Sequence, residues 1–289
     1  MEFDPFLYIA FAIGFVAGRL TSVRSPWIGY ATRATVVVLV GLLGASLDAV
    51  PGLSLLETIP LAVAFALAIL GLTAGVYLLL ARWAPDPTTA GPDLDSVERL
   101  PFSLVLLASL LVGFGIGRVA TVPATSAIPW VLYVLLALVG FDITLRLSAL
   151  RGVWKPLTAA AVAALLAAAL FVIVDRLAVG AALATSLGFG FYSLAGPLVA
   201  SRAGAVLGLL AFLTNFLRED LTMLLSPYVG RRLRGGGLAA LGGATSMDTT
   251  LYFVTRYGDR DSASLALANG LILTVAATLL LPAALALPL

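Results

Sequence analysis

Four carboxylates stand inside apolar stretches of this sequence: Asp142, Glu219, Asp220 and Asp248. An ionisable side chain within a membrane-spanning segment costs at least roughly 2.5–3.5 kcal/mol on insertion scales, so such residues are candidates for binding or proton transfer. The pattern around Glu219 is the most specific. At about 100° per residue, Asn215, Arg218, Glu219, Thr222 and Ser226 fall within one sector roughly 100° wide on an otherwise apolar helix, while Asp220 points elsewhere. A polar stripe of this kind faces protein or water rather than lipid, and it sets an acceptor-only carboxylate beside amide and hydroxyl groups. The competing explanation is a salt bridge between Arg218 and a neighbouring acid that only joins helices. Asp142 has a simpler account: Arg146 follows four residues later, and a local ion pair near the interface explains it.

Two Gly-, Ser- and Thr-rich segments carry the remaining candidates. Thr245, Ser246, Met247 and Asp248 follow Gly242 and Gly243, while Tyr192 and Ser193 stand at a matching interruption before Gly196 and Pro197. Broken helices expose unpaired carbonyls and N–H groups, which suit a small zwitterion: carbonyls and carboxylates take the ammonium, and N–H groups take the carboxylate. A glycine kink packed against other helices is the alternative at each break. Asn269, before Gly270, completes the wall of such a site or serves as an interhelical amide.

The elements that must position these groups are membrane helices. Of 289 residues, 61% are hydrophobic and 11% charged, with a mean hydropathy of +1.08. Soluble domains carry roughly 45–50% apolar and about 25% charged residues. The chain has no Cys and no His, which excludes a thiolate nucleophile, a Cys/His metal cluster and an imidazole relay, so proton chemistry must use carboxylates. There is no GxxxxGK[ST] motif, no cofactor is expected, and neither an appended ATPase nor a nucleic-acid partner is anticipated. The opening MEFDPF is acidic and no A-x-A site follows, so the first segment reads as a span rather than a signal peptide.

Apolar segments able to span are 5–22, 27–50, 56–81, 101–121, 126–145, 156–174, 204–228 and 262–287. Segments 179–201 and 235–257 are interrupted at FGFYSLAGP and GGATSMDTT, and irregular backbone at that depth must line a protein-walled cavity, so both read as re-entrant hairpins. A 99-residue shift places Gly14, Phe15, Gly18 and Arg19 on Gly113, Phe114, Gly117 and Arg118, and Leu39, Val40 and Gly41 on Leu138, Val139 and Gly140. Three crossings separate the copies, so the repeat is inverted, as in secondary transporters. The expected organisation is a first three-helix repeat (1–82), a cytoplasmic loop (83–100), a second, inverted repeat (101–176) and a transport region (177–289).

Charge placement orients the chain. With external N- and C-termini, Arg19, Arg24, Arg33, Arg82, Arg99, Arg146, Arg151, Lys155, Arg231, Arg232, Arg234, Arg256 and Arg260 are cytoplasmic, and Arg118, Arg176 and Arg202 face out. Ten full spans would move the RRLR cluster outside, against the positive-inside rule, so eight spans with two hairpins is the preferred all-α arrangement. Its order looks like the glutamate-transporter architecture, an analogy of topology that says little about substrate.

The strings SLGFGFYSLAG (186–196), AFLTNFLREDLTMLLSP (211–227) and GGATSMDTTLYFVTRYG (242–258) resemble the lysine exporter family, LysO, in the same order and at similar spacing. The resemblance covers about the last hundred residues well and the first 180 by hydropathy and scattered glycines. It implies export of L-lysine and its thia-analogue across the cell (inner) membrane, with a buried acidic pair that maps onto Glu219 and Asp248. Asp220 departs from the pattern as an extra acid. Two carboxylates in a low-dielectric cavity repel each other and lose hydration, so they can hold protons when the ammonium is absent and release them when it binds. The expectation is therefore a non-enzymatic secondary transporter that exchanges lysine for protons, two per lysine being preferred. A carrier of another small amino acid or cation is the alternative, and homo-oligomerisation stays open. An intramembrane aspartyl protease lacks its GxGD motif here, and an ion channel leaves the inverted repeat and the hairpin acids less well explained.

Overall fold

The computed structural model describes residues 5–21, 26–47, 52–83, 102–142, 152–247, 249–258 and 262–288. Among them the secondary structure is helical throughout: α1 (Pro5–Thr21), α2 (Pro26–Ala45), α3 (Gly52–Trp83), α4 (Phe102–Val119), α5 (Ala124–Asp142), α6 (Trp154–Val174), α7 (Val179–Ser186), α8 (Tyr192–Ala203), α9 (Ala205–Gly242), α10 (Leu251–Tyr257) and α11 (Ser262–Ala284). A 3-10 turn, Gly243–Met247, follows α9. Four helices, Trp27–Ala45, Leu56–Trp83, Trp154–Val174 and Ser262–Ala284, are long and apolar enough to cross a membrane. Asp248, the loop 84–100 and Arg24, Arg99, Arg146, Arg151 and Arg260 lie outside the described residues, as does the side chain of Asp142.

The side chains are distributed as a membrane protein requires. Ile9, Ile13, Val16 and Leu20 of α1, Leu56, Ile59 and Leu67 of α3, and Leu165, Leu166 and Ile173 of α6 are exposed, whereas Asn215, Arg218 and Asn269 are wholly buried. Lipid is as apolar as leucine, so apolar side chains gain nothing by hiding, and helices associate through close packing and polar contacts. α6 shows the packing: Ala159, Ala160, Ala163, Ala164, Ala167 and Ala168 form its buried face, closed by Phe171 stacked on Phe65 of α3 at a centroid separation of 3.5 Å.

Glycine notches set the arrangement of α1, α2, α4 and α5. A β-carbon on Gly14 or Gly18 of α1 would collide with the carbonyls of Ala137 or Phe141 of α5; one on Gly113 or Gly117 of α4 would meet those of Gly41 or Ala45 of α2. In both pairs the contacts advance together along the two chains, so α1 runs parallel to α5 and α4 parallel to α2. α4 already reaches Ala45, the last residue of α2, so α5, which packs on α2, must run back along it. α1 and α4 therefore point in opposite directions. The matching details include Arg19 over the Phe15 ring at 5.2 Å and Arg118 over the Phe114 ring at 5.1 Å.

The register of the second helix differs from the 99-residue shift. Gly41, Gly44 and Ala45 of α2 occupy the places of Ala137, Gly140 and Phe141 of α5, so Gly41 is not the counterpart of Gly140. The notches pair Gly14 with Ala137 and Gly113 with Gly41, so three residues more separate the two notches of α1 and α2 than those of α4 and α5.

The remaining helices surround α9. α9 is kinked at Arg234 (φ 52°, ψ −167°), which separates a long helix from a two-turn helix ending at Gly242. A β-carbon on Gly235 would stand 3.0 Å from the Cα of Gly258, so the segment between them starts and finishes at the same place. At the other end of the molecule the Gly180 N–H donates to the Pro288 carbonyl at 3.0 Å, and Ala200 packs against Gly208 near the start of α9. α11 links the two ends. Ser262 at its start adjoins Gly235 and Gly258, and Ala284 at its finish adjoins Gly180.

Candidate functional site

α9 carries the expected stripe into the interior. Asn215, Arg218, Thr222 and Ser226 are fully buried and Glu219 is 3% exposed, while Asp220, off the stripe, is only partly buried. Thr222 and Ser226 turn back on their own helix, donating to the carbonyls of Arg218 (2.7 Å) and Thr222 (2.6 Å). Asn215 and Arg218 do different work, because each reaches a helix break whose backbone groups have no intrahelical partner.

Asn215 holds the break between α7 and α8. Its Nδ2 donates to the carbonyls of Thr185 and Ala211, both at 2.9 Å, and its Oδ1 accepts from the Gly190 N–H at 2.9 Å. Gly188 lies so close to this amide that a β-carbon there would stand 2.6 Å from it. Arg218 holds the break after α9. Its Nε donates to the Leu241 carbonyl and its Nη2 to the Ala240 carbonyl, each at 2.9 Å, so a cation caps the negative end of the short helix. Asn269 of α11 approaches the same break from the opposite side, donating to the carbonyls of Ala239 (2.9 Å) and Gly243 (3.1 Å) and to Ser246 Oγ (3.0 Å). Ser246 Oγ also lies 2.9 Å from the Ala266 carbonyl, and Thr245 Oγ1 donates to the Gly242 carbonyl at 3.0 Å.

The two breaks meet. The Ala244 N–H donates to the Phe189 carbonyl at 2.8 Å, and the turns on either side use backbone rarely adopted by L residues: Phe189 has φ 49°, Gly190 φ 91° and Gly243 φ 65°. Phe189 accepts that conformation without being glycine, and such strain persists only where surrounding structure over-determines it. Tyr192 is buried edge-on against Phe212 and Phe216, at centroid separations of 5.8 and 5.6 Å, and Ser193 is buried beside it in the chain.

Several buried polar atoms on the elements that carry the two breaks and on α11 have no hydrogen-bond partner among the described residues: Ser186 Oγ, Thr214 Oγ1, Arg218 Nη1, Thr250 Oγ1, Asn269 Oδ1 and Thr274 Oγ1. Buried polar groups are normally paired, and of these atoms Arg218 Nη1 and Asn269 Oδ1 belong to the two side chains that hold the break after α9, where a small polar molecule could supply the complement. Sequence reasoning missed Ser186, Thr214, Thr250 and Thr274. A hydroxyl on a helix is most simply read as back-bonding to the carbonyl four residues earlier, as Thr222 does, and only the three-dimensional contacts distinguish one that does not. Asp248, the other expected acid, lies outside the described residues.

A sequence model of the family described as Lysine exporter LysO matches residues 107–285, a span containing both breaks, α9 and the whole of α11. The chain is 34% identical over 189 residues to Lysine exporter LysO of Escherichia coli (strain K12), covering 62% of each chain. It is 31% identical over 99 residues to a Putative lysine exporter of Haemophilus influenzae, covering 34% of this chain and 50% of that one. The matches thus span about three fifths and one half of these relatives. No solved structure matches.

Proposed function

Because the chain belongs to the lysine exporter LysO family, we propose that it is a secondary active transporter that moves L-lysine and close analogues out of the cytoplasm in exchange for protons. The observation that carries this reading is the junction of two helix breaks held by a buried polar stripe, which carries Arg218 Nη1, without a partner among the described residues, and a buried carboxylate, Glu219. Glu219 and Asp248 serve as the cation partners and proton carriers. Lysine enters as its ammonium groups displace the protons, and the site is exposed to the two sides in turn. The names of the relatives support lysine as the cargo, and the absence of Cys and His leaves carboxylates as the proton carriers.

The same reading assigns eight spans and two re-entrant hairpins, 179–201 and 235–257, in a glutamate-transporter-like order with inverted repeats. The opposed directions of α1 and α4 support the inversion. The approach of Gly235 to Gly258 at one end, and of Gly180 to the α11 terminus with Ala200 beside Gly208 at the other, support hairpins that return to their own sides. Arg231, Arg232, Arg234 and Arg256 crowd the first of these ends, which makes it cytoplasmic under the positive-inside rule and leaves the C-terminal end of α11 in the inner membrane's outer face.

Counterflow in proteoliposomes tests the function: internal unlabelled lysine should drive uptake of labelled lysine, and arginine, ornithine and neutral amino acids as competitors define the range. Uncoupled conductance would instead mark a channel. With two protons exchanged per lysine, an imposed potential moves labelled lysine even without a pH gradient, each charge drawing about 2.3 kcal/mol per 100 mV. Single cysteines at Arg232 and at Leu287, both exposed, should label from opposite faces, the first from the cytoplasm.

A further inference from the structure

We infer that Arg218 is the carboxylate-binding residue of the site, so that the transporter selects amino acids over the corresponding amines. This rests on the substrate reading above and deepens it. The guanidinium is fully buried and its plane is fixed, because Nε and Nη2 donate along one edge to the carbonyls of Leu241 and Ala240. Nη1 has no hydrogen-bond partner among the described residues. The edge left over is the outer one, formed by Nη1 and the second proton of Nη2, and two parallel N–H groups on that edge match the two oxygens of a carboxylate.

The residue beside Nη2 carries no side chain. Gly243, at φ 65°, presents bare backbone, and a β-carbon there would stand 3.1 Å from Nη2. Glu219 follows Arg218 in the chain and is buried on the same polar stripe, so α9 carries both an anion-binding and a cation-binding group, as the carboxylate and ammonium of an amino acid require. Two carbonyl dipoles compensate a buried cation only partly, and a carboxylate completes the compensation. Capping the short helix does not by itself use this edge, since the two carbonyl bonds already satisfy that role.

The experiment is counterflow of labelled lysine in proteoliposomes holding the full chain, with unlabelled lysine, lysinamide and cadaverine as competitors. Cadaverine keeps both ammonium groups of lysine and lacks the carboxylate; lysinamide keeps the α-carbon skeleton and lacks the charge. In the wild type, each should compete at least about tenfold less well than lysine. In Arg218→Lys, which retains a cation but not the fork, the ratio should fall toward one, with labelled cadaverine exchange retained. Equal competition by lysine and cadaverine in the wild type overturns the inference while leaving lysine transport standing, and that measurement decides even where the variant fails to fold. An Arg218→Lys protein that exchanges lysine with the wild-type ratio also overturns it. Absence of any lysine exchange in the wild type overturns the substrate reading instead.

Discussion

The Ala244 N–H donates to the carbonyl of Phe189 at 2.8 Å, joining two helix breaks that lie 55 residues apart in the chain. If the two turns form the gate of the proposed site, they must part for a substrate to enter. In this natively cysteine-free chain, the pair Phe189→Cys and Ala244→Cys should form a disulfide on oxidation and lower lysine exchange to under about a tenth, as locking a gate does. Reductant should restore it, and each single variant should be insensitive to oxidant. Normal exchange by the cross-linked protein would mean that the turns move as one body.

Glu219 is expected to act through its charge. Glu219→Gln keeps the shape and removes one charge-assisted partner, worth roughly 1.5–3 kcal/mol, so lysine affinity should fall about ten- to hundredfold. Asp248→Asn is expected to do the same. Coupled proton movement should vanish with it, measured as lysine-driven alkalinisation or acidification inside vesicles, while the elution profile of the detergent-purified protein stays unchanged. A neutral variant with wild-type proton-coupled flux removes that residue from the carrier pair.

Asn215 should matter chiefly for stability. Its amide satisfies the Thr185 carbonyl and the Gly190 N–H at a break that has no other partner for them, and leaving each buried group unsatisfied costs about 1–3 kcal/mol. Asn215→Ala should therefore lower the melting temperature substantially. Thr222→Val and Ser226→Ala, which remove only intrahelical bonds, should shift it by no more than a degree or two. A tolerant Asn215→Ala with lost lysine binding would assign the amide to the substrate instead.

The glycine notches give a paired prediction. Gly14→Leu and Gly113→Leu place a side chain where backbone carbonyls of α5 and α2 already stand, and overpacking of this kind costs roughly 1–3 kcal/mol. Because the two contacts are equivalent, the losses in thermal stability should be similar. Gly71→Ala, with nothing within 4 Å of the added carbon, should be neutral or slightly stabilising, since alanine is the better helix former.

The sequence alone determined the class of the molecule and much of its wiring. Hydropathy reports the solvent that a segment can tolerate, so the apolar runs, the absence of a nucleotide motif and the polar face of α9 were all legible without coordinates. The direction of a helical side chain follows from 100° per residue, which is why Asp220 could be separated from Asn215, Arg218 and Glu219. Which polar groups are already spent was not legible. Asn215 and Arg218 look alike in the sequence as polar residues on one stripe, yet one is satisfied by its break and the other keeps Nη1 without a partner among the described residues, because the break groups they bond come from residues 22 to 30 positions away. The same holds for the repeat. A match of residue types suggested one uniform shift, but helices in lipid lock where glycine lets backbone touch backbone, and those contacts, made only in three dimensions, set Gly41 against Gly113 and Ala137 against Gly14.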